Sequence, residues 1–278
     1  MEIGIFAKTF EAPGIEENMA AVAAAGITAV QYNLSIAGIG TVPENVDADT
    51  IERIKSAAAA HNVRLAAISG TFNTAHPDPA VRSTGISRFA ELVRVSVELG
   101  IPVITLCSGS RDVEDMWRHH PDNSTPEAWA DARESLTRLA KLAEDAGIIV
   151  AVEPEHTNVV STADLARTML DEIASPALKI VFDAANILDT ADLSEPSTIP
   201  VIEHALKTLG PDIALAHAKE LVPGRPALAP GKGALPWKFI LNGLDNAGYA
   251  GALIMHGLPE SDVTSGVAFL RQQLEVSV

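Results

Sequence analysis

The sequence predicts an α/β fold, a (β/α)8 TIM barrel formed by a single domain over residues 1–278. Eight short apolar segments recur along the chain, and a stretch with helical hydrophobic periodicity follows each of them. The eight pairs together match the roughly 250 residues that such a barrel usually needs. The apolar segments are almost continuously hydrophobic, as expected for parallel strands that are covered on both faces.

The predicted strands are spread over the whole chain. In order they are EIGIFA (2–7), ITAVQYN (27–33), RLAAIS (64–69), PVITLC (102–107), IIVAVE (148–153), LKIVFD (178–183), IALAHAK (213–219) and GALIMH (251–256). The helical stretches lie at 16–25, 48–62, 79–99, 125–146, 161–173, 200–209, 236–247 and 261–274. Glycines 26, 100, 147 and 248 stand where a helix passes into the next strand, as a C′ glycine does.

An open doubly wound sheet is the alternative arrangement of alternating strands and helices. It is disfavoured because the segment after the first strand, AKTFEAPG, lacks the GxGxxG fingerprint of dinucleotide-binding sheets. The sequence contains no recognisable domain boundary and no low-complexity tract.

The composition excludes several classes of function. The chain has 20 Lys and Arg against 36 Asp and Glu, a net charge of -16, which disfavours broad contact with nucleic-acid phosphates or anionic lipid. Cys107 is the one cysteine, so an internal disulfide and a cysteine-cluster zinc site are excluded. The N-terminus does not read as a secretion signal, and no apolar run reaches the roughly 18 residues that span a bilayer. We therefore expect a soluble, cytoplasmic protein without nucleic-acid or membrane partners.

Two connections are long for a barrel, at 107–129 after the fourth strand and at 220–237 after the seventh. Loops on this side of a barrel build its active site, and long ones often act as lids. The first loop contains Trp117, Arg118, His119 and His120, which favours a lid over a polar ligand. The alternative for each loop is a tolerated surface insertion.

Polar side chains end four successive strands in the second half of the chain. Side chains alternate between the two faces of a strand, so Glu153, and Glu155 if the strand continues, share a face with Ile149 and Ala151. The same count groups Val181 with Asp183, Leu215 with His217 and Lys219, and Ala252 and Ile254 with His256. Neighbouring strands end at one rim of the barrel. The count therefore brings together two carboxylates and two imidazoles, those of Glu153, Asp183, His217 and His256.

This group is a candidate site for one divalent cation. Carboxylates are rarely fully buried unless they are paired or bound to a cation. A mixed nitrogen and oxygen ligand set suits transition metals better than Ca2+ or Mg2+, and we expect Mn2+ ahead of Co2+, Zn2+ or Fe2+. Each residue alone has a structural alternative: a histidine at a strand end is often a hydrogen-bonded core residue, Asp183 could cap a turn, and Glu155 could pair within a loop.

The same residues carry a resemblance to a known family along essentially the whole chain. The sequence resembles the sugar phosphate isomerase/epimerase family of xylose isomerase-like TIM barrels, and within it the ketose 3-epimerases. The shared motifs are VEPEH (152–156), DAAN (183–186), HAKE (217–220), PGKGALPW (230–237) and GYAGALIMH (248–256). The resemblance implies a metal-dependent sugar isomerase or epimerase with Glu153, Asp183 and His217 as metal ligands and a carbohydrate as substrate.

His256 departs from the family pattern, because those epimerases have a second metal-bound glutamate at this place. Their two glutamates divide proton removal and proton return between them. Glu153 can keep one of these roles, and His256 is the candidate for the other. An imidazole bound to a metal has lost the lone pair that a base needs, so proton transfer by Glu155, His76, Lys219 or a metal-bound water stays open.

Other polar residues are candidates for binding hydroxyl groups or a phosphate of the substrate. They are His76, Arg111, Asn186, Lys219 and Arg225, while Trp117 could cover the apolar face of a sugar ring. Arg111 could instead pair with Asp112 or Asp115, and Trp117 could anchor its own loop. A homodimer or homotetramer is the expected assembly, since barrels with lids often pair.

Three further functions compete with a sugar isomerase or epimerase. A lyase or deglycosidase acting on an oxidised (3-oxo) glycoside is the first, and the histidine at 256 favours it, because a less negative ligand set makes a stronger Lewis acid. An apurinic-site endonuclease would need further zinc ligands and a basic DNA-binding face, which the eight scattered histidines and the net charge of -16 disfavour. A binding barrel without catalysis is the third.

Overall fold

The computed structural model describes residues 1–188, 193–222 and 228–275, and these residues form a (β/α)8 TIM barrel. Its eight parallel strands pair in chain order, and the first pairs with the last to close the barrel. The strands are β1 (Glu2–Phe6), β2 (Ala29–Tyr32), β3 (Arg64–Ser69), β4 (Val103–Cys107), β5 (Ile149–Glu153), β6 (Leu178–Phe182), β7 (Ile213–Ala218) and β8 (Ala252–Met255). Each lies within its predicted segment, so the predicted fold class is confirmed.

One α-helix follows each strand. The helices are α1 (Ile15–Ala24), α2 (Ala48–Ala60), α3 (Pro79–Leu99), α4 (Pro126–Ala146), α5 (Ala163–Ile173), α6 (Glu195–Leu209), α7 (Trp237–Asn246) and α8 (Val263–Glu275). The four glycines predicted to follow helices, 26, 100, 147 and 248, all have a positive φ of 69–78°. None of the helices in the described ranges combines the length and the apolar character that crossing a membrane requires.

Helix α6 begins earlier than predicted. The sequence predicts the helical stretch PVIEHALKTL, which starts at Pro200. The helix instead begins at Glu195, where Ser197 and Thr198 donate their backbone N–H groups to the carbonyl oxygen of Ser194. Pro200 lies inside the helix, where it removes one backbone hydrogen bond without preventing the first turn.

Two apolar layers hold the barrel. The larger cluster lies between the outer strand faces and the helices, and includes Tyr32, Phe89 and Ile104, each fully buried. The smaller cluster fills the barrel interior and consists of Ala29, Ala66, Ala67, Val103, Ala151, Val181, Leu215, Ala252 and Ile254. The predicted inward set of strands β5 to β8 therefore lies on the inner face.

The strand register shifts at two places. Between β2 and β3, Val30 pairs with Leu65 but the next residue, Gln31, pairs with Ala67. Between β6 and β7, Ile180 pairs with Ile213 but Val181 pairs with Leu215. Each shift inserts one extra residue into one strand of a pair, as a β-bulge does. The shifts lie near the carboxyl ends of β2 and β6, and the extra residues lie toward the amino ends of β3 and β7.

Candidate functional site

A cavity of about 440 Å³ opens at the carboxyl ends of the barrel strands. This is the face on which TIM barrels carry their active sites, and the volume suits a small-molecule ligand. Most of its lining residues have polar side chains, and the lining consists of Phe6, Lys8, Gln31, Asn33, Thr41, Ser69, Thr71, Thr105, Cys107, Met116, Trp117, Glu153, Glu155, Asn186, His217, Lys219 and His256.

Two buried residues and one partly buried residue in this region could share a metal ion. One ligand atom from each of Asp183, His217 and His256 lies within 4.8 Å of the other two. Asp183 Oδ2 and His256 Nδ1 are buried and make no hydrogen bond within the described residues, although the His217 ring lies 3.5 Å from Asp183 Oδ2. Buried polar atoms nearly always have a partner, and unpaired ones are costly. A divalent cation would satisfy both atoms, so the residues fit a metal.

Glu153 lies beside these three residues but outside their geometric group. Its Oε1 is 3.2 Å from His217 Nδ1 and accepts a 2.5 Å hydrogen bond from Asn186 Nδ2. Its Oε2 is 3.9 Å from Cys107 Sγ on the neighbouring strand. Burial raises the pKa of the Cys107 thiol well above 9.0, so the sulfur is a weak donor toward the carboxylate. The Glu153 side chain lines the cavity.

His217 makes polar contacts with three side chains of the site. Nε2 is 2.8 Å from Gln31 Oε1, while Nδ1 faces Glu153 and lies 3.5 Å from Asp183 Oδ2. Burial lowers the pKa of His217, but the two neighbouring carboxylates outweigh it and raise that pKa to about 9. In return, His217 and Lys219 hold the pKa of Asp183 below its usual value despite complete burial. The pair is therefore ionised without a metal.

His256 stacks on His217, but its pKa is shifted in the opposite direction. The two rings are almost parallel, at 4° and 4.9 Å between centroids, and Phe6 covers His256 at 5.1 Å. Burial, helped by the neighbouring His217, lowers the pKa of His256 to about 4. A neutral imidazole keeps a lone pair, which is the form that binds metals.

Two further charged groups line the cavity. Glu155 is 7% exposed, and its Oε1 is 2.8 Å from His156 Nδ1. Lys219 donates from Nζ to Asn186 Oδ1, so that Lys219, Asn186 and Glu153 form a hydrogen-bonded chain. Burial lowers the pKa of Lys219, but Asp183, Glu153 and Glu155 raise it above its usual value. The lysine is therefore a cation at neutral pH.

The structure brings only part of the predicted substrate-binding set to the cavity. Trp117, Asn186 and Lys219 line it. Arg111 lies outside the lining, because its Nη1 pairs with Asp131 Oδ2 at 2.6 Å. The partner is therefore Asp131 and not Asp112 or Asp115, the two alternatives that the sequence suggested. His76 also lies outside the lining; its Nδ1 accepts the backbone N–H of Asp78. Arg225 lies outside the described residues.

The two long loops differ in their relation to the cavity. Met116 and Trp117 from the loop after β4 line it, and Trp117 is 50% exposed. Lys219 lines the cavity directly after β7, and residues 220–222 and 228–237 of the following loop contribute no lining residue. Glu220, at the start of that loop, is buried and accepts hydrogen bonds from three backbone N–H groups and the indole of Trp237. Action of either loop as a lid stays a prediction.

Gln31 is the main polar group of the site that the sequence reasoning missed. It lines the cavity floor with Ser69 and Thr105, which accept hydrogen bonds from its amide nitrogen. The alternation of strand side chains could have identified it. Gln31 lies two residues after Ala29, and the same spacing located the inward side chains of β5 to β8.

Comparison with known families supports the fold and the class of protein. The family described as xylose isomerase-like TIM barrel matches residues 19–273. A D-psicose 3-epimerase from Enterocloster bolteae is 30% identical over 129 residues, which are 45% of this chain and 39% of that enzyme. The matched part thus spans about two fifths of the length of this relative.

Solved structures of sugar epimerases share the fold over almost the whole chain. A 3-keto-D-glucoside 4-epimerase from E. coli superposes with a TM-score of 0.78 at 18% identity and covers 98% of this chain and 99% of its own. A D-psicose 3-epimerase from Clostridium cellulolyticum H10, solved with D-tagatose, gives a TM-score of 0.74 at 19% identity and covers 99% of both chains. At these identities the likeness concerns the fold.

Proposed function

The chain belongs to the xylose isomerase-like TIM barrel family, and we propose that it is a divalent-metal-dependent isomerase or epimerase of a sugar or sugar phosphate. One observation carries the proposal: Asp183, His217 and His256 converge within 4.8 Å, beside a carboxylate that faces the same cavity. The relationship to a D-psicose 3-epimerase supports a ketose as substrate.

Asp183, His217 and His256 would hold the metal, with Glu153 as the adjacent fourth candidate. A divalent cation supplies Lewis-acid polarisation of a substrate carbonyl, which makes the neighbouring C–H group more acidic. Mn2+, Co2+, Zn2+ and Fe2+ all suit this mixture of carboxylate and imidazole, and we place Mn2+ first.

Glu153 is the proposed general base. Asn186 donates a hydrogen bond from Nδ2 to Glu153 and so fixes its side chain. The amide oxygen of Asn186 in turn accepts a hydrogen bond from Lys219 Nζ. A positioned carboxylate can take a proton from the carbon next to a carbonyl. Because Oε1 is engaged by Asn186, Oε2 is the oxygen that we assign to proton removal.

Glu155 and Lys219 are the proposed groups for proton return. Both line the cavity, and Lys219 carries a proton at neutral pH. Return to the same carbon gives epimerisation and return to its neighbour gives isomerisation. The predicted catalytic role of His256 is less favoured than a ligand role, because its unpartnered Nδ1 and its lowered pKa both suit metal binding.

Trp117, Asn186 and Lys219 are the residues that we propose to contact the sugar. Trp117 presents a half-exposed indole at the cavity, which could cover an apolar sugar face. His76, Arg111 and Arg225 are not assigned a role in this proposal. Assembly into a homodimer or homotetramer also remains a prediction.

The test combines metal analysis of the purified protein with a deuterium-exchange screen over ketoses and 3-oxo sugars. Glu153→Gln removes the base without changing the size of the side chain, so we expect proton exchange to fall by at least 100-fold while the circular dichroism stays unchanged. Glu144→Gln, which alters an exposed carboxylate bonded to Ser175, is the matched control. Full activity of the Glu153 variant would contradict the assignment.

Cleavage of an oxidised glycoside by β-elimination is the second candidate. It is favoured by His256, which stands where a two-carboxylate epimerase would need its second glutamate. The same proton removal by Glu153 would then expel an aglycone instead of returning a proton. Release of the aglycone from a 3-oxo glycoside, without deuterium incorporation into free ketoses, would select this reaction.

A further inference from the structure

Gln31 on β2 connects three strands of one side of the barrel to His217 on the opposite side. Its amide nitrogen lies 3.0 Å from both Ser69 Oγ on β3 and Thr105 Oγ1 on β4, and its carbonyl oxygen lies 2.8 Å from His217 Nε2. All four side chains are buried, with at most 5% exposure.

The amide nitrogen of Gln31 faces two hydroxyl oxygens, and its carbonyl oxygen faces His217. A glutamine NH2 group has two hydrogens, and here two oxygen atoms stand at bonding distance from it. The carbonyl oxygen of Gln31 lies 2.8 Å from His217 Nε2, and a carbonyl oxygen can only accept a hydrogen bond. His217 Nε2 therefore carries a hydrogen, whereas Nδ1 faces Asp183 and Glu153.

The register shift between β2 and β3 places one of these hydroxyl groups. Gln31 pairs with Ala67, which follows the extra residue, and Ser69 lies two residues further along the same inner face. Bulges commonly re-aim side chains next to active sites. The backbone thus provides a dedicated partner for the Gln31 amide.

We propose that Gln31 is a positioning residue, which holds His217 with Nε2 protonated and with Nδ1 directed at a divalent cation. The inference rests on the proposed function, because it assumes that His217 is a metal ligand. Groups that bond the distal nitrogen of a metal-binding histidine fix its tautomer and ring orientation, and their loss commonly weakens metal binding 10–100-fold.

Two substitutions separate positioning from packing. Gln31→Met keeps most of the side-chain volume but offers His217 no acceptor, so we expect the dissociation constant for Zn2+ to rise by about 10–100-fold. Gln31→Glu keeps an acceptor for Nε2–H, and we expect its dissociation constant to stay within about threefold of the wild type or to fall. A purely structural role would tolerate Met better than the buried charge of Glu.

The readouts are Zn2+ affinity, measured by competition with a chelator, and the ring nitrogens of His217, measured by 15N NMR on the full chain. In the Zn2+-loaded wild type we expect a metal-bound Nδ1 and a protonated Nε2. In the metal-free protein we expect the Nε2 proton to exchange slowly with solvent, and to exchange faster in Gln31→Met.

Unchanged Zn2+ affinity in Gln31→Met, or a Zn2+-loaded His217 without a proton on Nε2, would overturn the proposal. If the wild type binds no divalent cation, the proposed function fails on that result. The metal-free Nε2 exchange rate then still tests whether Gln31 orients His217, so the two failures are distinguishable.

Discussion

Glu220 offers the sharpest test of how the loop after β7 is held. Its Oε1 accepts the backbone N–H groups of Leu221 and Leu235, at 3.0 and 3.1 Å. Its Oε2 accepts the N–H of Gly231 at 2.9 Å and the indole N–H of Trp237 at 2.8 Å. The carboxylate is 2% exposed, so Glu220→Gln would act on a buried network.

The expected cost follows from the number of bonds lost. An amide has one acceptor oxygen, so whichever way it turns, two of the four bonds are lost and an NH2 group faces two donors. Hydrogen bonds to a charged group contribute about 1.5–3 kcal/mol each, which gives an upper range of roughly 3–6 kcal/mol. Because the loop can partly rearrange, we expect the free energy of unfolding to fall by about 3 kcal/mol.

Urea unfolding and hydrogen exchange measure this effect. The amides of Gly231 and Leu235 and the indole of Trp237 should lose protection in Glu220→Gln. Asp262→Asn is the matched control, since it changes a carboxylate that contacts the same loop through an exposed pair with Lys232 at 2.6 Å. We expect this control to cost less than about 1 kcal/mol.

Glu220→Gln should not behave like its control. A loss within about 0.5 kcal/mol, with protection of the three N–H groups intact, would show that the bonds to Glu220 are replaceable by water. A loss of stability without a local change in protection would also contradict it, because the cost would then arise elsewhere in the barrel.

Three further perturbations have defined outcomes. Mn2+ or Zn2+ at 100 times its dissociation constant should raise the free energy of unfolding by about 2.7 kcal/mol, and a gain that survives Asp183→Ala in thermal unfolding would place the ion elsewhere. Burial opposes ionisation of Asp212, but Lys179 and Arg167 outweigh it and lower its pKa below 3.8. The stability that this pairing provides is therefore complete above pH 3.8, the usual pKa of the carboxyl group, and is lost as the pH falls through the lowered pKa. Asp212→Asn should lower the free energy of unfolding by about 1 kcal/mol at pH 7. A difference between variant and wild type that persists in unfolding curves at pH 2 would argue against the pairing. Gly4→Ala should destabilise by about 1–3 kcal/mol in urea unfolding, since the added Cβ would lie 2.9 Å from a backbone carbonyl oxygen of β2; an unchanged midpoint would show that the barrel can expand there.

The fold could be predicted because each barrel element has a local signal in this sequence. Continuous apolar segments mark strands that are covered on both faces, and glycines such as Gly100 and Gly147 mark helix ends through their positive φ. The start of α6 was predicted late, because a proline inside a helix and a proline at its start look alike in sequence.

The candidate site was predictable only where it depends on strand alternation. The alternation of side chains along a strand located Asp183, His217 and His256, because each side chain points either into the barrel or toward the helices. Loop residues have no such rule. Arg111 pairs with Asp131, twenty positions along the chain, and the direction of its side chain depends on that tertiary contact.

The extra residues in β3 and β7 have a consequence for how this barrel can vary. At both places two consecutive residues, Ala66 and Ala67 or Ala214 and Leu215, contact the inner cluster. Every residue beyond them is reversed in parity relative to an uninterrupted strand. Removing one alanine would thus turn Ser69 or His217 outward toward the helices, and the candidate site would be lost without any change in its chemical groups.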